Sequence, residues 1–170
     1  MVSKTFVVSD IIKYDGTEHN YSGAVTDVYP YPNQAYALPN HFKWQFKLMN
    51  KSNYSGNNII RLFLHPSTDT APAQPNYGLW EQFENATRCN GGSRVNGSTV
   101  GDSSYVTVSL NAWVDMEIEV DGTTVTFRIN GTDVGTVTKT WITNYTDWVI
   151  RLLANNVGNW AYKDLKIIPL

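Results

Sequence analysis

Three acidic residues in one short run have the spacing that could support acid–base chemistry. Glu117, Glu119 and Asp121 alternate with apolar residues, so in a strand their carboxylates share one face. A retaining glycosidase needs two carboxyl groups about 5–5.5 Å apart, and neighbouring positions on one strand face can supply that separation. The same pattern is typical of a solvated strand face, and Asp121 precedes Gly122 in a pair that favours a tight turn. We expect the solvated face, and hydrolysis by Glu117 and Glu119 is the alternative.

Aromatic residues beside amide and guanidinium groups indicate a different chemistry, the binding of sugars. A sugar stacks its apolar C–H faces on an aromatic ring, while amide, carboxylate and guanidinium groups fix its hydroxyls. Segments 77–82 and 155–160 supply both kinds of group, and two arginines on the polar sides of other strands could add donors. The expected glycan-binding residues are Tyr77, Trp80, Gln82, Arg61, Arg151, Asn155, Asn156 and Trp160. The alternative is that the two tryptophans pack beneath loops or into a subunit interface.

The other reactive residue types lack the spacing of a known site. His19, His41 and His65 have neither H-x-H nor H-E-x-x-H spacing, so we expect structural roles for them. The aspartates form no compact D-x-D-x-D cluster of the oxygen ligands that calcium requires, so we assign no metal ligand and expect no cofactor. Cys89 is the single cysteine; it has no partner for an internal disulfide and should be a free thiol.

The surface composition narrows the classes of partner. Charged residues make up only 16% of the 170 residues, against about 25% in a typical soluble domain. The formal net charge is −2 and no basic patch is visible, so we expect no nucleic-acid partner. The apolar runs are far too short to cross a membrane, and residues 1–5 lack the features of a signal peptide. We therefore expect no membrane insertion and no secretion signal.

Alternation of apolar and polar residues is the dominant pattern along the chain, and it predicts strands. Two pairs that favour hairpins, Asp121-Gly122 and Asn130-Gly131, predict a three-stranded meander over 114–120, 123–129 and 133–138. Further strands are predicted at 41–48, 60–64, 106–110, 148–153 and 164–167, with less regular ones at 6–12 and 77–83. About ten strands with one apolar face each predict two antiparallel sheets packed face to face, in a single domain over 1–170.

Three stretches between the strands predict loops. Residues 90–102 contain four glycines and predict the most mobile loop, and residues 53–58 predict a second polar loop. Residues 66–75 contain three prolines, which predicts an extended segment with no central strand.

The hairpin around the acidic run carries the most specific pattern in the chain. The segment Trp113-Val114-Asp115-Met116-Glu117-Ile118-Glu119-Val120-Asp121-Gly122, followed by Thr124-Val125-Thr126-Phe127-Arg128-Ile129-Asn130-Gly131, resembles a hairpin of concanavalin A-like lectin/glucanase domains. That family includes laminin G-like domains and related phage modules. Residues 148–153 and 161–167 resemble its last two strands. The resemblance is best over 105–170, and it implies an all-β, two-sheet antiparallel jelly-roll sandwich with an opening strand at 6–10 beside the closing one.

The same resemblance bounds the function without selecting one. The family includes enzymes, lectins, carbohydrate-binding modules and virion proteins, and a fold does not choose among them. The acidic run departs from the family's glucanase pattern E-x-D-x-x-E, because its middle acid is Glu119 and its third acid, Asp121, falls at the turn. We therefore expect a binding or structural module that is not an enzyme.

The expected setting is the surface of a bacteriophage virion, in capsid decoration or in tail or fibre attachment. Such a protein is made in the host cytoplasm without a signal peptide and is extracellular once released. We expect a homo-oligomer, with a trimer as one option, that contacts virion structural proteins and offers loops to cell-surface glycans. A free carbohydrate-binding lectin and a glycoside hydrolase that uses Glu117 and Glu119 are the alternatives.

Overall fold

Strands account for nearly all the regular structure, as the alternating sequence predicts. The computed structural model of the chain describes residues 4–5, 12–13, 18–22, 25–28, 35–53, 59–70, 74–155 and 158–170. Within these residues the only helical element is a short 3-10 helix at Thr140–Asn144, and no helix is long and apolar enough to cross a membrane. The strands form two sheets that pack as a sandwich.

Sheet A contains nine strands of the described residues. Seven follow one path, in the order β1 (Lys4–Thr5), β5 (Tyr36–Ala37), β15 (Asp147–Ala154), β7 (Ile60–Pro66), β8 (Gly78–Asn85), β9 (Arg88–Val95) and β10 (Ser98–Gly101). Two further strands join from the side, β4 (Val25–Val28) on β15 and β11 (Val106–Thr107) on β9. All these pairs are antiparallel except β1 with β5.

Sheet B contains seven of the described strands, all in antiparallel pairs. Its path is β14 (Thr132–Thr138), β13 (Thr124–Ile129), β12 (Val114–Asp121), β6 (His41–Asn50), β16 (Asn159–Pro169) and β2 (Ile12–Lys13), and β3 (His19–Ser22) also pairs with β16. The predicted meander is confirmed. Its two turns place Gly122, Asn130 and Gly131 at φ of 58°, 52° and 75°, the left-handed region that tight hairpins require.

The core lies between the sheets and follows the predicted alternation. In β6 every second side chain from Phe42 to Leu48 is buried, and the residues between them are partly exposed. Sheet B buries Phe42, Trp44, Phe46, Leu48, Met116, Ile118 and Phe127, which share one cluster with Leu62, Leu64, Leu79, Phe83, Cys89 and Leu152 of sheet A. Burial of each large apolar side chain contributes roughly 1.5–3 kcal/mol, so this cluster joins the two sheets. Cys89 is a free, buried thiol.

The glycine-rich stretch 90–102 corrects one prediction, because most of it is strand rather than mobile loop. It forms the end of β9 and the whole of β10. A Cβ on Gly91 would come 2.4 Å from the ring of Phe127 in the core, and a Cβ on Gly92 would come 2.4 Å from the indole of Trp80 on the opposite side. These glycines therefore allow large rings to lie against the backbone, a known use of glycine within strands.

The remaining predictions on loops and on the opening strand are tested only in part. Residues 6–11 lie outside the described residues, but Ile12 and Lys13 pair with the closing strand β16. Residues 54–58 and 71–73 also lie outside them. In the proline-containing stretch, β7 reaches Pro66, and the described residues 67–70 and 74–75 contain no strand.

Candidate functional site

Four of the eight expected glycan-binding residues come together on the side of sheet A that points away from the core. Arg61 and Gln82 are paired across β7 and β8, and Phe63 pairs with Arg151 on one side and with Trp80 on the other. Their strand neighbours point into the core, so alternation turns these side chains outward. We call this surface face A; it comprises Arg61, Phe63, Trp80, Gln82, Asn90, Arg94 and Arg151.

A hydrogen-bonded row of polar side chains crosses three strands of face A. Nε of Arg61 donates to Oε1 of Gln82 at 2.7 Å, and Nη2 donates to the same oxygen. Nε2 of Gln82 donates in turn to Oδ1 of Asn90 at 2.8 Å. The three residues are only 4%, 3% and 2% exposed, and buried polar groups without such partners would be costly. The row therefore holds each of its members in one orientation.

Aromatic rings lie beneath the arginine of this row. The guanidinium carbon of Arg61 is 4.2 Å from the ring centroid of Trp80 and 5.4 Å from that of Phe63. Stacking of a guanidinium on an aromatic face is favourable, the more so where water is excluded. Phe63, Trp80 and Leu153 form an apolar cluster separate from the core. Face A thus combines a ring surface with directed hydrogen-bond donors.

The guanidinium of Arg61 is hydrogen-bonded to a neutral amide rather than to a carboxylate. No described acidic group lies within ion-pair distance of its guanidinium, and its hydrogen bonds go to a neutral amide. Desolvation lowers the pKa of Arg61 to about 10, and the positive charge of Arg94 contributes to this shift. Arg94 itself donates to neutral oxygens of Gln74, Pro75, Gly97 and Thr99. Arg61 remains a cation at neutral pH.

An exposed group borders the row, and the sequence did not predict it. Tyr105 is 48% exposed, its hydroxyl donates to Glu84 at 2.8 Å, and its ring lies 3.9 Å from the guanidinium carbon of Arg88. Arg88 is two residues before Asn90 in β9, so it shares the same face. We call Glu84, Arg88 and Tyr105 the margin of face A. The hydrogen bond to Glu84 raises the pKa of Tyr105.

The other four expected residues are not part of face A. Trp160 was expected off the core face, and this placement was wrong. It is 0% exposed within the core cluster, and its ring stacks on Tyr21 with centroids 4.6 Å apart. Tyr77 lies before β8 beside the rings of Trp141 and Tyr145. Asn155 follows β15, where its backbone nitrogen donates to the carbonyl of Ile59. Asn156 lies outside the described residues.

The acidic run lies on the outer side of sheet B, within a network of opposite charges. Nη1 of Arg128 is 2.6 Å from Oε1 of Glu117 and 2.6 Å from Oε2 of Glu119, and Nζ of Lys43 is 3.4 Å from the same two oxygens. His41 also contacts Glu119, at 3.1 Å. We call these residues, together with Gln45, face B. Asp121 lies at the hairpin turn and is exposed, as predicted.

These contacts keep both glutamates ionised. The hydrogen bond from Arg128 is the main reason that the pKa of Glu119 falls to about 2. For Glu117, burial alone would raise the pKa, but hydrogen bonds from Gln45 and Arg128 outweigh it and lower the pKa. A glycosidase needs one of its two carboxyl groups protonated near neutral pH, which requires a raised pKa. The pair has the opposite electrostatic environment.

One carboxyl group does have a raised pKa, but it lies in the core. Glu81 points between the sheets and is 0% exposed, and among the described residues no side chain donates a hydrogen bond to either of its oxygens. Burial raises its pKa well above the usual value, and the charge of Glu117 adds to the shift. A group enclosed in this way cannot reach a substrate. Among the described residues, no group of three or more His, Cys, Asp or Glu residues is placed to hold a metal ion.

Comparison with solved structures identifies the fold. The carbohydrate-binding module CBM66 from Bacillus subtilis matches with a TM-score of 0.58 and 11% identity, over 92% of this chain and 94% of that one. A protein of unknown function with a galectin-like fold, from Bacillus subtilis, matches with a TM-score of 0.54 and 10% identity, over 89% of this chain and 88% of that one. The fold is an all-β jelly-roll sandwich of two antiparallel sheets. This confirms the fold that the hairpin motif implied.

The same fold also occurs as part of longer chains. The GH43 protein BlXynB from Bacillus licheniformis matches with a TM-score of 0.57 and 12% identity, over 78% of this chain but only 28% of that one. Identities this low indicate a shared fold and nothing about activity. Neither protein-family models nor curated proteins give a match to this sequence.

Proposed function

We propose that this chain is a non-catalytic carbohydrate-binding module that holds glycans on face A. The observation that supports this most is the row Arg61–Gln82–Asn90, which lies beside the stacked Trp80 and has the exposed Tyr105 at the margin of the same face. Ligand sites combine an apolar surface with a few placed polar groups in this way. The fold shared with a carbohydrate-binding module agrees with the proposal.

The margin and the row have different parts in this proposal. Tyr105 offers an exposed ring for the C–H face of a sugar, and a hydrogen bond to Glu84 and the stacked guanidinium of Arg88 hold that ring in place. Asn90 and Arg61 then donate to oxygens of the same sugar or of the next one. Because these donors are already oriented by their neighbours, little side-chain entropy is lost on binding.

The electrostatics of face B support the non-catalytic part of the proposal. Glu117 and Glu119 share Arg128 and Lys43 as counterions, and both have lowered pKa values. A hydrolase would need one of them to donate a proton to the leaving oxygen. We therefore favour binding over hydrolysis by this pair. Release of reducing sugars by the wild type that is lost in Glu117→Gln would support hydrolysis instead.

We propose the surface of a bacteriophage virion as the setting of this protein, on the basis of its sequence composition. The low share of charged residues suits repeated packing against identical neighbours and other virion proteins, in a homo-oligomer such as a trimer. Multi-angle light scattering measures the oligomeric state, and cosedimentation with phage particles measures attachment. A protein that stays monomeric at high concentration and does not cosediment would contradict this setting and leave glycan binding untouched.

The binding proposal is tested by a glycan array followed by titration calorimetry on the best ligand. Tyr105→Ala removes the exposed ring, and we expect about a tenfold loss of affinity, equivalent to about 1.4 kcal/mol. Tyr105→Phe keeps the ring and should retain most of the affinity. Thr126→Ala, on the outer side of sheet B, is the matched control and should bind normally. Equal affinities for Tyr105→Ala and Thr126→Ala would refute binding at face A.

A further inference from the structure

The row on face A has a direction, which its arginine sets. A guanidinium can only donate, so Arg61 requires the oxygen of the Gln82 amide to face it. The nitrogen of that amide must then face away, and it donates to the oxygen of Asn90. The amide nitrogen of Asn90 is thereby left at the far end as a donor. The chain of bonds thus turns both ends of the row into donors.

The free donors of the row can be identified atom by atom. Nη1 of Arg61 and Nδ2 of Asn90 donate no hydrogen bond to a described residue. Neither atom is among the fully buried nitrogens that lack a partner. The side chains that carry these two nitrogens are only 4% and 2% exposed. A ligand that reaches them would meet two donors and would have to supply acceptor oxygens.

Because the row carries a positive charge, an anionic acceptor would stabilise it more than a neutral one. A buried cation without a counterion is costly, and Arg61 has no described carboxylate within ion-pair distance while Arg94 lies close enough to affect its titration. The carboxylate of Glu84, whose charge acts on Arg61, is bound to Tyr105 and Arg88 instead. An anionic oxygen from outside would restore the balance, because charge-assisted hydrogen bonds to guanidinium are about twice as strong as neutral ones.

We propose that face A selects glycans that carry an anionic group, a carboxylate or a sulfate, whose oxygens pair with Nη1 of Arg61. The inference rests on the proposed function, since it names the class of glycan that the same site takes. Trp80 holds the guanidinium plane in a fixed orientation from below, so the anion binds at the free edge of that plane. The neighbouring sugar ring then lies towards Asn90 and Tyr105.

The test is an array on which each neutral oligosaccharide is printed beside its sialylated, sulfated and uronate counterparts. We expect at least one acidic member to bind ten times or more tightly than its neutral partner in 50 mM NaCl. Because salt screens such a contact, the preference should shrink at 500 mM NaCl. The sialyl, uronate and sulfate arms distinguish the source of the negative charge.

Two variants assign the preference to the row. Arg61→Met keeps an unbranched apolar stem over Trp80 and removes the charge, and it should bind both members of a pair equally. Lys47→Met removes one cation from the outer side of sheet B and should keep the full preference. Thermal melts of both variants check folding, and the wild-type pair comparison remains decisive if Arg61→Met does not fold.

The outcomes separate this inference from the proposed function. Equal binding of neutral and acidic partners at both salt concentrations, with loss of binding in Tyr105→Ala, would overturn the anion preference alone. A preference that survives in Arg61→Met would overturn the role of Arg61. Absence of binding to every printed glycan would overturn both proposals.

Discussion

Face A and face B lie on the sides of the two sheets that point away from the shared core, yet their charged groups are paired in opposite ways. On face B, Arg128 and Lys43 bridge two glutamates, so each charge has a partner of opposite sign. On face A, Arg61 is bonded to an uncharged amide and stacked on an indole. The side chains of the Arg61 row are almost fully buried, whereas those of face B are partly exposed.

The two faces differ in whether their polar groups are already paired within the protein or still have donors available to a ligand. On a solvent-exposed face, ion pairs in which each charge has a partner add little to the free energy of unfolding. The row on face A ends in two donors without a partner among the described residues, and a ligand could supply the acceptors for them. Both faces arise from the same period-two alternation, so the difference lies in which polar residues alternate and in what lies beneath them.

The largest expected effect comes from filling the space in which Trp80 lies. A Cβ on Gly92 would come 2.2 Å from the carbonyl oxygen of Val100 and 2.4 Å from the indole. Gly92→Ala should therefore lower the free energy of unfolding by about 3 kcal/mol, measured by urea denaturation. Gly101→Ala is the matched control on the neighbouring strand, because its Cβ would meet nothing closer than 3.6 Å. Similar stabilities for the two variants would contradict the close packing under face A.

The next effect concerns the carboxyl group that lies between the two faces. Glu81 has a raised pKa in the folded state, so folding keeps its proton while the unfolded chain loses it. The stability that this proton supplies is complete below the usual pKa of about 4.5 and is lost as the pH rises towards the folded value. Glu81→Gln removes this dependence and should be more stable at pH 8, by on the order of 2 kcal/mol.

The readout for Glu81 is the difference between the two stability–pH curves from pH 4 to pH 9. Glu84→Gln, on the same strand but at the margin, should keep the wild-type slope. If the curve of Glu81→Gln runs parallel to that of the wild type, the buried carboxyl is not the source of the slope.

A smaller effect of the opposite sign should come from face B. The folded pKa of Glu119 is lowered to about 2, so its contribution is present above the usual pKa and is lost as the pH falls towards 2. Arg128→Met removes the main cause of this shift and should cost about 1 kcal/mol at pH 7, because the group is partly exposed. At pH 2 the variant and the wild type should have nearly equal stability in thermal melts. A cost that persists at pH 2 would indicate lost packing rather than lost charge pairing.

The smallest expected effect is at an exposed ion pair near face B. Nζ of Lys47 lies 2.5 Å from Oδ1 of Asp115, whose side chain is 60% exposed. Lys47→Met should change the free energy of unfolding by no more than about 0.5 kcal/mol, and 500 mM NaCl should abolish the difference. A cost similar to that of Arg128→Met would mean that face B is a tighter network than its exposure indicates.

The fold was largely predictable because its strongest signals are local. Alternation from Phe42 to Leu48 marks one core strand, and Asp121-Gly122 and Asn130-Gly131 mark two hairpin turns. Each signal depends on a few adjacent residues. The stretch containing Gly91 and Gly92 was misread because glycine signals both loops and close packing. Only the rings of Phe127 and Trp80, which come from distant parts of the chain, decide between the two.

The site was predictable only where strand parity could be counted correctly. Arg61 lies in a regular strand, so alternation placed it on the polar side, whereas Gln82 lies in the stretch 77–83, where the predicted strand is less regular. Trp160 lies beyond a register shift in β16 between Lys163 and Lys166, where Asp164 has a φ of 53°. Counting back by twos from Leu165 therefore assigns Trp160 to the wrong side. The approach of Tyr105 to Arg88 depends on strand pairing between distant segments, which no local pattern reports.

The hydrogen bonds of the row should also make the side-chain amides of face A visible in NMR spectra. One amide hydrogen of Gln82 is engaged by Asn90, so the side-chain NH₂ resonances of Gln82 and Asn90 should be well dispersed and slow to exchange with solvent deuterium. An acceptor that occupies Nη1 of Arg61 would alter the polarity of both amides through the shared bonds. In isotope-labelled protein, binding of a ligand would then shift the side-chain NH₂ signals of Gln82 and Asn90, even when the chemical identity of the ligand is unknown.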